Sequence, residues 1–294
     1  MTHRATLHCT RVQAEAAPEL DLDWPGEPPV LVADEPDPAQ PDAWLIRAYF
    51  DHAPSLGELA LLRDLGTSEP AVEVLPEADW VTMSQAGLEP IRVGRFFVHT
   101  PAYRAQPPGT IAFEIDAGLA FGTGQHATTA GCLETLDALE RDGERFLNIA
   151  DIGTGTGLLA FAALALWPQA RCIATDIDPI AVEVSRDNAA INHVPLGTAA
   201  GALLLTVADG MAAPELAQRA PYDLLIANIL ARPLIDLAPG FAAALAPGGA
   251  IVLAGLLDTQ AEAVAGAYEA AGLTRVRRSP GEWPVLLLRR PPRP

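Results

Sequence analysis

Lysine is absent from these 294 residues; all nineteen basic side chains are arginine. That absence excludes the lysine of a phosphate-cradling P-loop, a Schiff-base lysine and an ammonium general base. Cysteine is nearly as scarce. Cys9, Cys132 and Cys172 are scattered, with neither metal-ligand spacing nor a disulfide framework, so a soluble, reducing compartment is expected, the cytoplasm. No uninterrupted apolar run approaches the roughly 18 residues of a membrane span. The longest, Leu158 to Trp167, directly follows a glycine cluster. Polar and charged residues run through Met1 to Gln13, so no signal peptide is expected. Positive charge is in deficit as well. Thirty-seven carboxylates leave a net charge of −18 and a pI near 4.6. Such a surface repels a nucleic-acid backbone, and either attracts a basic partner or simply serves solubility.

What is present divides the chain. Residues 1–76 read as a small two-layer α/β domain. Its expected strands are "ATLHCTRV", "PPVLVADE", "AWLIRAYF" and "AVEVL", and its helix is "LGELALLRDLG". The proline-rich "EPDPAQPD" reads as a surface loop. Residues 77–108 read as a linker leading into short strands. From residue 109 to 294 strands and helices alternate. "RFLNIADI", "RCIATDI", "GALLLTVAD", "YDLLIANI" and "GGAIVLAGLL" are expected strands of a mostly parallel, helix-covered sheet. "TRVRRS" and "PVLLLRR", joined by "SPGEWP", predict an antiparallel hairpin at its edge.

Two glycine clusters lie close together, "GLAFGTGQHATTAG" (Gly118 to Gly131) and "DIGTGTG" (Asp151 to Gly157). In the second, Gly153, Gly155 and Gly157 follow a strand and open a helix, as in nucleotide-binding turns. Asp176 ends the next strand in "ATDIDP", where a carboxylate suits the two hydroxyls of a ribose, while Asp178 suits an N-cap for the helix begun by Pro179. Asp209 in "VADG" is placed either to accept from an adenine amino group or simply to form an Asp-Gly turn.

Charge then discriminates between adenosine ligands. Asp151 sits where the pyrophosphate of a dinucleotide would lie, and unit charges about 4 Å apart interact by roughly 4 kcal/mol at an effective dielectric near 20. S-adenosylmethionine carries a sulfonium and an ammonium and no phosphate, so it is the expected cofactor. The first glycine cluster precedes the helix "ATTAGCLETLDALE", whose start Thr128 or Thr129 can cap and whose N-terminus can receive a carboxylate. Asn228 in "ANILARPL" ends the fourth strand, where an amide can accept a hydrogen bond from an attacking amine; an N-cap is the simpler alternative. Ile229, Leu230 and Phe121 supply an apolar mouth; His126 is the nearest candidate for a general base, with loop packing as the simpler reading.

Together "GLAFGTGQHATT", "DIGTGTGLLA", "DIDPIAVEVSRDNA" and "ANILARPL" resemble the ribosomal protein L11 methyltransferases of bacteria, over about Trp80 to Trp283. The resemblance implies a Rossmann-like class I methyltransferase domain with a mostly parallel seven-stranded sheet, joined to a small N-terminal α+β domain that recognises the substrate. It carries cofactor positions onto Thr129, Gly153, Asp176 and Asn228. It also implies methylation of lysine side chains and the N-terminal amine of a basic large-subunit ribosomal protein. A monomer, with no membrane or nucleic-acid partner and no metal, completes the expectation.

Overall fold

The computed structural model describes residues 2–16, 24–26, 28–34, 44–74, 90–101, 103, 107–116 and 127–292. The chain separates into two compact units, Met1–Met83 and Ser84–Pro294.

The first unit runs β1 (His3–Cys9), α1 (Arg11–Ala16), β2 (Val30–Asp34), β3 (Trp44–Phe50), α2 (Leu56–Leu65) and β4 (Ala71–Val74). Its antiparallel sheet has the order β2-β3-β1-β4, a ferredoxin-like βαββαβ arrangement. Alternation puts Ala5, Leu7, Cys9, Ile46, Ala48 and Phe50 on one face, where they bury against Ala14, Leu62 and Leu65 of the helices. The expected first strand, read through Val12, stops at Cys9. Thr10 and Gln13 form a capping box: the Gln13 side chain accepts from the Thr10 N–H at 2.9 Å, and the Thr10 hydroxyl from the Gln13 N–H at 3.3 Å.

The second unit opens with β5 (Ile91–Val93), β6 (Phe96–His99) and β7 (Ile111–Glu114), a three-stranded sheet in that order. Phe96, Val98 and Phe113 of this sheet lie in the larger core, so residues 91–99, read in the sequence as linker, carry strands that pack on the second unit. There follow α3 (Ala127–Arg141), β8 (Asn148–Ile152), α4 (Leu158–Leu166), β9 (Arg171–Asp176), α5 (Pro179–Ile191) and β10 (Leu203–Val207). Then come α6 (Pro214–Arg219), β11 (Tyr222–Asn228), α7 (Ala231–Ala244), β12 (Leu245–Ala254), α8 (Ala261–Ala270), β13 (Thr274–Arg278) and β14 (Leu286–Arg289).

The seven-stranded sheet has the order β10-β9-β8-β11-β12-β14-β13. Its central strands are buried on both faces by alternate residues. Ile149, Leu224 and Val252 face the core shared with α3 and α4; Ala150, Leu225 and Ile251 face the one shared with α7 and α8. Two apolar faces require two helical layers, which makes this a doubly wound α/β sheet. The closing hairpin forms at the edge as expected: β14 pairs antiparallel with both β12 and β13, so it lies inside the sheet and β13 is the outermost strand. Composition explains the order. "VLLL" is apolar on both faces, whereas Arg275, Arg277 and Arg278 need solvent.

Candidate active site at the carboxyl ends of the strands

Strand order reverses at β8: β9 and β10 extend to one side, β11 and β12 to the other. In open α/β sheets ligands bind at this switch, beyond the carboxyl ends of the strands. Asp151, Asp176, Asp209 and Asn228 lie at or just after the ends of β8, β9, β10 and β11, so one edge collects all four.

The turn after β8 is held from the neighbouring strand. The N–H groups of Gly153 and Thr154 both donate to the Thr175 carbonyl, at 2.8 and 2.9 Å. Gly153 has φ of +76°, and a Cβ there would meet Ile229 Cγ2 at 2.2 Å, so both backbone and space require glycine. Asp176 does more than its position suggests. Its Oδ2 accepts from the Gly155 N–H at 2.9 Å and its Oδ1 from the Asp178 N–H at 3.1 Å, so the carboxylate shapes the turn as well as facing the crevice. Asp178 caps α5 through the Ile180 N–H at 2.8 Å, as expected.

Asp151 is fully buried. The Thr154 hydroxyl donates to its Oδ2 at 2.7 Å, while Oδ1 has no hydrogen-bond partner among the described residues. Burial pushes its pKa up to about 7, against the Thr154 hydrogen bond and with a smaller contribution from the Asp176 charge. This corrects the sequence reading, which takes Asp151 as simply ionised.

Across the switch, the Asn228 side-chain amide donates to Thr129 Oγ1 at 3.2 Å, which joins the end of β11 to the buried start of α3. Two sequence-expected site residues thus touch. Asn228 does not cap α7; Leu230 occupies that position without a side-chain bond. Ile229 lies against Gly153, and Leu230 stands 73% exposed at the rim. Asp209 is exposed in a turn, its carbonyl accepting from the Ala212 N–H at 3.1 Å. Residues 117–126, with Phe121, His126 and most of the first glycine cluster, lie outside the described residues.

Sequence reasoning missed a polar stripe on α5. Ser185 and Asn188, both fully buried, donate to the carbonyls of Gly155 (2.7 Å) and Thr156 (3.1 Å). The spacing of Ser185, Asn188 and Asn192 at i, i+3 and i+7 was the available signal, because polar residues on the core stripe of a helix must have partners.

A buried carboxyl with one oxygen unpartnered among the described residues, three glycines at positive φ (Gly153, Gly155 and Gly157) and a second carboxylate at the next strand end fit a cationic adenosine compound. Together with the doubly wound sheet, they define a class I methyltransferase, an enzyme that takes its methyl group from S-adenosylmethionine. The particular family follows from comparison with known proteins. The model of the family "Ribosomal protein L11 methyltransferase (PrmA)" matches residues 29–291, and the chain belongs to that family. It is 51% identical over 203 residues to the ribosomal protein L11 methyltransferase of Brucella suis, 69% of each chain. The Mesorhizobium japonicum protein of the same name is 49% identical over 220 residues, 74% of this chain and 73% of that one. The crystal structure of ribosomal protein L11 methylase from Lactobacillus delbrueckii subsp. bulgaricus superposes with a TM-score of 0.59 at 28% identity, covering 69% of this chain and 100% of that one.

Proposed function

We propose that this enzyme transfers methyl groups from S-adenosylmethionine to amino groups of ribosomal protein L11, both lysine side chains and the N-terminal amine, in the cytoplasm. The bound cofactor supplies an electrophilic methyl carbon on a sulfonium. Asp176 serves the ribose hydroxyls, Asp209 the adenine amino group and Asp151 the ammonium, while Gly153 and Gly155 permit close approach and Thr129 lies at the start of α3. The observation that carries the reading is the Asn228 amide. Its NH2 donates to Thr129 Oγ1, and its Oδ1 at the strand end is the atom that can accept from an incoming amine. That contact aligns the nitrogen lone pair for in-line displacement, and alignment is most of what this reaction asks of a protein. The amine must first be neutral. Lysine titrates at about 10.4 in water, and an apolar mouth with Ile229 and Leu230 lowers that value by desolvation.

The test is Asn228→Ala in the full chain with unmodified ribosomal protein L11. Methyl transfer is expected to fall about a hundredfold while cofactor Kd changes by less than about threefold. Equal losses would make Asn228 a cofactor ligand only. Mass spectrometry of the product decides the rest, because methyl groups on residues other than lysine and the N-terminus would refute the amine assignment.

A further inference from the structure

Helix α5 reaches both the glycine turn after β8 and the segment that follows β7. We infer that Asn188 is a positioning residue for the methyl-transfer site: it sets the glycine turn and the segment that follows β7, at Asp116, in one frame. The inference rests on the function proposed above. Asn188 is fully buried and all its polar atoms are used. Its Nδ2 donates to the Asp116 carbonyl at 2.9 Å and the Thr156 carbonyl at 3.1 Å; its Oδ1 accepts from the Asp116 N–H at 3.0 Å. One turn before it, Ser185 donates to the Gly155 carbonyl at 2.7 Å. One turn after it, Asn192 accepts from the Glu114 N–H at 2.9 Å and donates to the Glu114 carbonyl at 2.7 Å.

Two asparagines thus pair with alternate residues of an extended segment, Glu114 and Asp116, as a neighbouring strand would. Asn188 alone carries that ladder across to the glycine turn. The turn needs an external frame, because glycines contribute no side chains and have the widest choice of backbone conformations. Thr175 fixes the turn from the strand side, and Ser185 with Asn188 from the helix side. Asn192 makes the same kind of strand contact without touching the turn. It is therefore a built-in control: a purely structural role gives both asparagines the same phenotype, and a positioning role separates them.

The experiment compares Asn188→Ala, Asn192→Ala and the milder Ser185→Ala in the full chain, measuring Tm, calorimetric Kd for S-adenosylmethionine, and kcat and KM with the protein substrate. Both asparagine variants are expected to lose several degrees of Tm. Asn188→Ala should raise cofactor Kd at least tenfold with kcat at saturating cofactor within about threefold, while Asn192→Ala holds Kd within twofold. Ser185→Ala should raise Kd at least threefold with little change in Tm, which keeps the inference testable if Asn188→Ala does not fold. Kd unchanged in the Asn188 and Ser185 variants, or Kd tracking Tm across all three, overturns the inference. A wild-type chain that does not bind S-adenosylmethionine overturns the functional reading itself, and this inference with it.

Discussion

At the scale of single residues, Asp151 holds the clearest consequence. A carboxyl whose folded pKa lies near 7, above its ordinary value of 3.8, favours the fold while protonated. Its contribution is full below about pH 4 and is lost as pH rises through about 7. A ligand ammonium reverses this by favouring the charged form. Affinity for S-adenosylmethionine is therefore expected to rise with pH across the neutral range, with net proton release on binding. Calorimetry in buffers of different ionisation enthalpy measures that proton directly; a binding heat independent of the buffer would show that Asp151 does not change state. Asp151→Asn should abolish the pH dependence and weaken cofactor binding, yet leave Tm at neutral pH no lower, since a desolvated titrating group has gone. The places of Asp151, Asp176 and Asn228 at the strand ends were legible in the sequence. Their second partners were not, because the bonds of Asp176 to Gly155 and of Asn228 to Thr129 cross 21 and 99 residues of chain. Only the folded turn brings them together.

At the scale of elements, two turns hold each other at the crevice. Gly255, after β12, has φ of +86°, and a Cβ there would meet the carbonyl oxygen of Ile229 at 2.4 Å and its carbonyl carbon at 2.7 Å. These are backbone atoms and cannot swing aside. Gly255→Ala combines left-handed strain with a forced shift of the segment that carries Asn228, each of order 1–3 kcal/mol. A loss of at least about 5 °C in Tm is expected, with methyl transfer falling more than cofactor affinity, since Asn228 moves and Asp176 does not. Thermal melting and titration of one preparation check both halves; full activity would show that the turn accommodates a methyl group. The parallel strands and their helices were readable because buried strands leave continuous apolar runs. The missed features had signals of other kinds. "TRVQ" carries a capping box that ends β1 early, and the contrast between "TRVRR" and "VLLL" specifies which hairpin strand is the edge.

At the scale of the whole molecule, negative charge is unevenly shared. Residues 1–83 contain four arginines and sixteen carboxylates, so −12 of the net −18 lies in the first unit, in well under a third of the chain. The second unit carries fifteen arginines against twenty-one carboxylates. A cofactor crevice does not need such a bias, because the carboxylates proposed for S-adenosylmethionine, Asp151, Asp176 and Asp209, all belong to the second unit. A basic protein substrate does benefit from it, since a single-signed field steers diffusional encounter over distances of the Debye length, about 8 Å at physiological salt. The two ligands should therefore part company when salt is raised. From about 50 to 500 mM, kcat/KM for the ribosomal protein is expected to fall at least tenfold, with the loss in KM and in the association rate. The Kd for S-adenosylmethionine should move by no more than about twofold, because a buried contact is poorly screened. Stopped-flow association at several ionic strengths, beside cofactor titrations at the same strengths, separates the two. A flat response for the protein substrate would leave the acidic first unit as a device for solubility, and substrate capture would then have to rest on shape and apolar contact.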